Sequence, residues 1–247
     1  MHSFFIRKEN VSGKSIIISD SAEAHHLRDV LRIKVREEVV VFDEGGDKYI
    51  CFVEKIADQI YLQIKERHRS CALSRGSEVT VACAIPKNSK FDDIIDKLVQ
   101  LGVARIIPLL TERVVVRLDK DKQASRLKRW EKIALSAAKQ SHSPYLAVIT
   151  PIKHIKEVLD ESAGYDLKLI PTLGQPQRCT LRVALGNKRP KNILVLIGPE
   201  GDFTDEEIGL AKKKGFIMVT LGELILRVET AAIAVAGFIR FCLYEDR

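Results

Sequence analysis

The spacing of apolar positions changes once along this chain. Up to about Arg69 they come in short runs: SFFIR, KSIIIS, EVVVFD, YICFVEKI and QIYLQIKE. Turn signals such as Glu44-Gly45-Gly46 separate them, which predicts the strands of a small β-barrel or sandwich. Only SAEAHHLRDVL reads as a helix in that part. The polar stretch Arg67 to Gly76 has no period and predicts a boundary. From Glu78 strands alternate with helices. EVTVACAI, RIIPLL, YLAVIT, DLKLI and NILVLI read as strands. FDDIIDKLVQLG reads as a helix ended by Gly102. SRLKRWEKIALSAAKQ is amphipathic, with Leu127, Trp130, Ile133, Ala134 and Ala137 on one face. Such alternation predicts a parallel α/β sheet. The expected domains are residues 1–70, small and β, and residues 74–247, α/β.

Composition narrows the picture. A chain of 247 residues can bury a sizeable core in one large or two modest domains. No apolar run approaches the ~18 residues that span a bilayer, and Arg240 interrupts the longest. The N-terminus carries charge too early, and too short an apolar stretch, for a signal peptide. The five cysteines, Cys51, Cys71, Cys83, Cys179 and Cys242, never form a C-x-x-C pair. That argues against a disulfide framework or zinc site, and for a reducing cytoplasm. No His, Cys or carboxylate cluster suggests a metal. Net charge is +7, and residues 1–70 carry 12 basic and 12 acidic side chains, so the excess lies beyond them. A basic second part suits a polyanion such as RNA. A mildly basic surface alone does not require one.

Two stretches carry most of the chemistry. LIGPEGDFTDEEI (Leu196 to Ile208) follows the strand-like NILVLI, and LGELILRVETAAIAVA (Leu221 to Ala236) follows FIMVTL. In open parallel sheets ligands bind outside the carboxyl ends of strands, where both turns fall. Gly198 and Gly201 permit close approach to the backbone, and Pro199 stiffens the turn. Thr204 with Glu207 fits a capping box, predicting a helix from Asp205. No G-K-[ST] follows the glycines, which speaks against a phosphate loop.

Together the two stretches resemble the SPOUT superfamily of knotted RNA methyltransferases. Within it they are similar to the ribosomal RNA small-subunit methyltransferase E family, which methylates N3 of a uridine and whose signature runs I-G-P-E-G-G, then L-G-x-R-I-L-R-x-E-T-A. HHLRDVLR with VVVFDEGGDKYIC resembles the family's N-terminal domain. KLVQLGV, TERVVV, Trp130 and KQS (Lys139 to Ser141) fall in the family's order. The resemblance implies a PUA-like β-barrel followed by a SPOUT domain with a deep C-terminal trefoil knot. It also implies a homodimer and S-adenosyl-L-methionine as methyl donor. Ribosomal RNA or the small ribosomal subunit is the implied partner. The implied cofactor pocket comprises Leu173, Ile197, Gly198, Pro199, Glu200, Gly201, Leu221, Gly222, Ile225, Leu226 and Arg227.

Uridine N3 must lose a proton, so a base or an anion-stabilising cation is needed. Arg227 and Glu229 are the candidates. Glu229 can equally be a carboxylate favoured by the helix dipole. For RNA phosphates the candidates are Arg28 and Arg32, on a face that acids also populate, and Lys122, Arg126 and Arg129 in a run with few acids. Departures from the family pattern fall near the site. Asp202 stands for the second glycine of G-P-E-G-G and Leu224 for the arginine before I-L-R. Gln100 and Lys139 stand where glutamates are usual. These allow another RNA target, or an RNA-binding ribosome-assembly factor without catalysis.

Overall fold

The structure, a computed structural model, describes residues 3–6, 8–43, 46–68, 76–86, 90–114, 120–141, 143, 145–187 and 189–243. The Glu44-Gly45 turn signal, the Arg69 to Arg75 part of the expected boundary and Cys71 lie outside them. The chain divides into two compact units. One comprises residues 1–74 with 138–146, the other residues 75–137 with 147–247. The division is therefore not a single cut, since the last three residues of the long amphipathic helix and the six after it cluster with the first unit.

The first unit is a six-stranded sheet. Its strands are β1 (Ser3–Ile6), β2 (Val11–Ser12), β3 (Ser15–Ile18), β4 (Glu38–Asp43), β5 (Lys48–Ile56) and β6 (Ile60–His68). Their order is β1-β4-β5-β6-β3-β2, with β1 parallel to β4 and the other pairs antiparallel. Alternate residues, among them Ile16 and Ile18, Val39 and Val41, and Tyr49, Cys51 and Val53, meet in one core. A sheet whose strands all turn one face to a shared core must curl, which is why the runs keep a period of two. Asp43 is buried, and its carboxylate accepts the Tyr49 hydroxyl at 2.9 Å. Burial, with Asp43 second, pushes the Tyr49 phenol up to about 12. The predicted helix forms as α1 (Ser21–His25) and then widens into a π turn over His26–Val30, closed by Leu31 N–H on the His26 carbonyl. Lys139 Nζ donates to both carboxylate oxygens of Glu23 at 2.7 and 2.8 Å.

The second unit is parallel throughout. Its strands are β7 (Glu78–Ala84), β8 (Arg105–Leu110), β9 (Val148–Ile149), β10 (Lys153–His154), β11 (Leu167–Pro171), β12 (Cys179–Thr180), β13 (Asn192–Ile197) and β14 (Ile217–Thr220). The order is β10-β8-β7-β13-β11-β14-β12, with β9 also on β8. Between them lie α2 (Lys90–Gln100), α3 (Lys120–Gln140), α4 (Ile155–Asp160), α5 (Leu181–Leu185), α6 (Asp205–Lys213) and α7 (Val228–Leu243). Central strands covered on both faces need apolar residues at every position. Accordingly VTVACA of β7 and ILVLI of β13 are buried without a break. Helix α2 buries Phe91, Ile94, Ile95, Leu98 and Val99, the stripe of a period near 3.6. Its last turn closes by Val103 N–H on the Leu98 carbonyl around Gly102, whose φ is +75°. Helix α3 lays Trp130 against Phe91, with ring centroids 4.8 Å apart.

Three expectations change in detail. YLAVIT gives only the two-residue β9, because its neighbour β8 pairs with it over two positions and Pro151 then offers no donor. Helix α3 begins at Lys120, before the expected Ser125. The short α4 and α5 were not foreseen, being too brief to carry a period.

Candidate functional site

The strand order builds the site. Strand β11 lies between β13 and β14, so the loops leaving these three strands stand side by side at their carboxyl ends. They enclose a cleft of about 580 Å³, a volume that includes the open solvent at its mouth. Pro171, Thr172, Leu173 and Arg178 come from the first loop. Ile197 to Glu200 and Asp202 come from the second, Thr220 to Gly222 and Leu224 to Leu226 from the third, and Val228 and Ala231 from the first turn of α7.

The second loop is rigidly held. Asp202 N–H closes a turn on the Pro199 carbonyl at 3.0 Å. Arg113, from the loop after β8, donates to the Gly201 carbonyl. The capping box forms as the sequence predicts: Thr204 Oγ1 accepts Glu207 N–H, and the Glu207 carboxylate accepts Thr204 N–H. The buried Glu207 also accepts Glu112 N–H at 2.9 Å. Gly198 is required by packing. A Cβ there would stand 2.9 Å from the Phe203 ring, which is itself core. The third loop is looser. Gly222 holds a φ of +114°, open only to glycine at low cost, and a Cβ there would meet open space. Leu224 and Ile225 are 79% and 76% exposed, and Leu173 across the cleft is 45% exposed. Exposed apolar side chains gathered around one mouth mark a binding surface.

Two polar features complete the geometry. Thr172 Oγ1, in the cleft wall, is buried without a hydrogen-bond partner among the described residues, a group that needs an explanation such as a ligand. Glu229, in the first turn of α7, takes a 2.8 Å hydrogen bond from Lys90 Nζ at the start of α2. That bond holds its carboxyl below the ordinary carboxylate range. Nearby Cys83 is fully buried in β7, and burial pushes its thiol up, which removes it as a nucleophile.

Comparison with known proteins now places the chain. Residues 74–240 match the family model described as an RNA methyltransferase domain, and residues 18–66 the RNA methyltransferase PUA domain. Ribosomal RNA small subunit methyltransferase E of Mesomycoplasma hyopneumoniae is 31% identical, over 94% of this chain and 96% of the relative. The protein of that name from Synechocystis is 32% identical, over 85% of this chain and 68% of the relative. This chain belongs to the ribosomal RNA small subunit methyltransferase E family. A crystal structure of the Neisseria gonorrhoeae family member bound to S-adenosyl methionine superposes with a TM-score of 0.83, at 29% identity and 98% coverage of both chains. The PUA-domain match falls within the first unit, and the methyltransferase-domain match covers most of the second together with residues 138–146 of the first.

Within this family member the residues picked out from sequence divide into groups. Leu173, Ile197, Gly198, Pro199, Glu200, Leu221, Gly222, Ile225 and Leu226 line the cleft. Gly201 does not; it faces outward, its carbonyl used by Arg113. Arg227 also lies outside the lining, exposed, with its carbonyl accepting Ala231 N–H as α7 begins. Glu229 is bound to Lys90 rather than free. Arg129 is exposed but ion-paired with Asp92. Lys122 is exposed and Arg126 half-buried on the same helix. Arg28 donates to Asp29 and to the Ala57 carbonyl, and Arg32 is exposed at a φ of +51°. Pro171 and Thr172, in the same strand-end segment as Leu173, line the cleft too. Sequence reasoning missed Arg178, Thr220, Val228 and Ala231. Thr220 ends a strand, the signal that could have found it. Arg178 carried none. Asp202 and Leu224, noticed only as departures, also line the cleft.

Among the described residues no helix is long and apolar enough to cross a membrane.

Proposed function

We propose that this chain transfers the methyl group of S-adenosyl-L-methionine to N3 of a uridine in small-subunit ribosomal RNA. The carrying observation is the cleft where three strand-end loops meet, in a member of an RNA methyltransferase family. Its chemistry fits the cofactor. Leu173, Leu224 and Ile225 offer apolar walls for an adenine ring, and the Thr172 hydroxyl awaits a partner. Bound there, the cofactor supplies a methyl group on a positively charged sulfur, ready for in-line displacement. The chain holds this methyl against the nucleophile, excludes water and manages charge. In this reading Ile197 to Glu200, Leu221, Gly222, Ile225 and Leu226 hold the cofactor with Leu173.

Arg227, exposed to solvent, stabilises the negative charge that grows on the uracil oxygens as N3 loses its proton to water. Glu229 does not take that proton, since a carboxylate already bonded to Lys90 is a weak base; it fixes the start of α7 and the Lys90 ammonium. Arg227→Ala lowers kcat more than cofactor affinity, because the interaction strengthens in the transition state. Parallel losses in single-turnover rate and calorimetric affinity would make Arg227 a scaffold residue.

RNA is held by phosphate contacts from Lys122, Arg126 and Arg129, spaced four and three residues apart on α3, and from Arg28 and Arg32 of the PUA-like unit. The triple alanine variant on α3 weakens RNA binding and flattens its salt dependence, leaving cofactor affinity unchanged. The protein works in the cytoplasm as a homodimer, with its C-terminal segment knotted. Mass spectrometry of ribosomal RNA from cells with and without the protein tests the whole reading. Loss of N3-methyluridine from the small subunit is expected. Loss of another methyl mark would identify a different RNA target, and no lost mark an assembly factor.

A further inference from the structure

Asp202 departs from ordinary backbone geometry. Its φ of +59° lies in the left-handed region, which costs an L-residue free energy although Asp tolerates it better than most. Such strain persists where surrounding contacts hold it in place. Both carboxylate oxygens are engaged by backbone donors. Oδ1 accepts Phe203 N–H at 2.8 Å, within its own loop. Oδ2 accepts Leu173 N–H at 2.9 Å, from the loop after β11. The second bond crosses the cleft's edge and joins two of its three walls. Asp202 and Leu173 both line the cleft.

We infer that Asp202 is a positioning residue for the methyl donor, fixing Leu173 against the ligand by bonding its backbone amide. The inference rests on the reading of this cleft as the cofactor site. Two observations support it. The Asp202 loop is itself immobilised from the opposite side by Arg113 on the Gly201 carbonyl, and by Glu207 on the Glu112 amide. It is therefore a fixed post to which the neighbouring loop can be tied. Leu173 has a large apolar side chain at the mouth that is 45% accessible. Further out, Gln175 bonds to Asp205 and Lys212 at 3.3 Å, but those contacts are exposed and lie away from the cleft lining. Charge points the same way. With both oxygens on N–H groups, the carboxylate acts through the backbone rather than on the ligand's charge.

A substitution series separates positioning from general stability. Asp202→Gly relieves the left-handed backbone but removes both acceptors. Asp202→Ala removes the acceptors and keeps the strain. Asp202→Asn keeps one acceptor oxygen and a side chain tolerant of this φ. Calorimetry of the whole protein with S-adenosylmethionine and with S-adenosylhomocysteine, beside thermal melts, reads both properties. Affinity should follow the acceptor: about tenfold weaker for glycine and alanine alike, intermediate for asparagine. Melting temperature should follow the backbone, with the glycine variant above the alanine variant. The losses should be equal for the two ligands, since both need Leu173 in place. Wild-type affinity in Asp202→Gly would overturn the inference. So would affinity that tracks melting temperature across the series, or a loss confined to S-adenosylmethionine, which would mean direct action on the sulfonium charge. Failure of the unaltered protein to bind either ligand would instead remove the cofactor reading itself.

Discussion

The loops after β13 and β14 begin alike and end differently. Each leaves a buried parallel strand, carries glycine within two residues and runs into a helix. The first is fixed by a capping box, by Arg113 on Gly201 and by Phe203 packed over Gly198. The second bears two largely exposed apolar side chains, and a Cβ added at its Gly222 would meet open space. One glycine answers to the protein's own core, the other to a backbone angle beside open space. A similar motif can thus be a structural joint in one place and an unfilled ligand wall in another.

The largest expected effect tests the joint. Gly198→Ala should cost about 2 kcal/mol of stability, since the added methyl overlaps a core ring. Denaturant unfolding measures it. Adding Phe203→Leu should recover part of the loss, so strictly additive losses would show that the ring is not the obstacle. A substitution at Gly198 therefore cannot serve as a clean probe of ligand binding, because the fold changes with it.

Gly222→Ala should cost less, about 1 kcal/mol, from backbone strain alone. No partner truncation should rescue it. Cofactor affinity should fall more than stability does, which is the reverse of the pattern at Gly198. Equal behaviour of the two variants would erase the contrast between the loops.

Hydrogen exchange sharpens the comparison without mutation. Saturating S-adenosylmethionine should slow exchange strongly in residues 221–227 and only slightly in residues 198–204, where hydrogen bonds already protect the backbone. Equal protection would mean that the second loop is less free than its exposed side chains indicate.

The smallest effect concerns the end of the third loop, where Glu229 meets Lys90. Its lowered folded-state pKa adds stability above the ordinary carboxylate value of 4.5, and that contribution is lost as pH falls through the folded value. Glu229→Gln should remove this pH-dependent part, below about 1 kcal/mol for so accessible a pair. Melts at about pH 7 and about pH 3 measure it. A variant as stable as the parent at the higher pH would show that the pair anchors nothing.

Much of this was legible in the residues. The apolar-rich runs of β7 and β13 read as strands of a parallel sheet, and Thr204 with Glu207 marked the start of α6 at Asp205. These signals are local: backbone sterics, capping bonds and apolar periodicity act over a few neighbouring residues. The two glycine motifs also located two walls of the cleft. The rest was not written locally. The Phe203 ring against Gly198 depends on how the turn folds back over the sheet. Asp202 reaches Leu173 across 29 residues, and Glu229 reaches Lys90 across 139. The sequence by itself determined where strands end, where helices begin and which turns carry glycine. Tertiary structure decided that β11 lies between β13 and β14, and so which loops share a cleft. It also decided which charges arrive already paired. Strand order is set by the burial of whole faces against one another, a sum over contacts distant in sequence that no short pattern encodes.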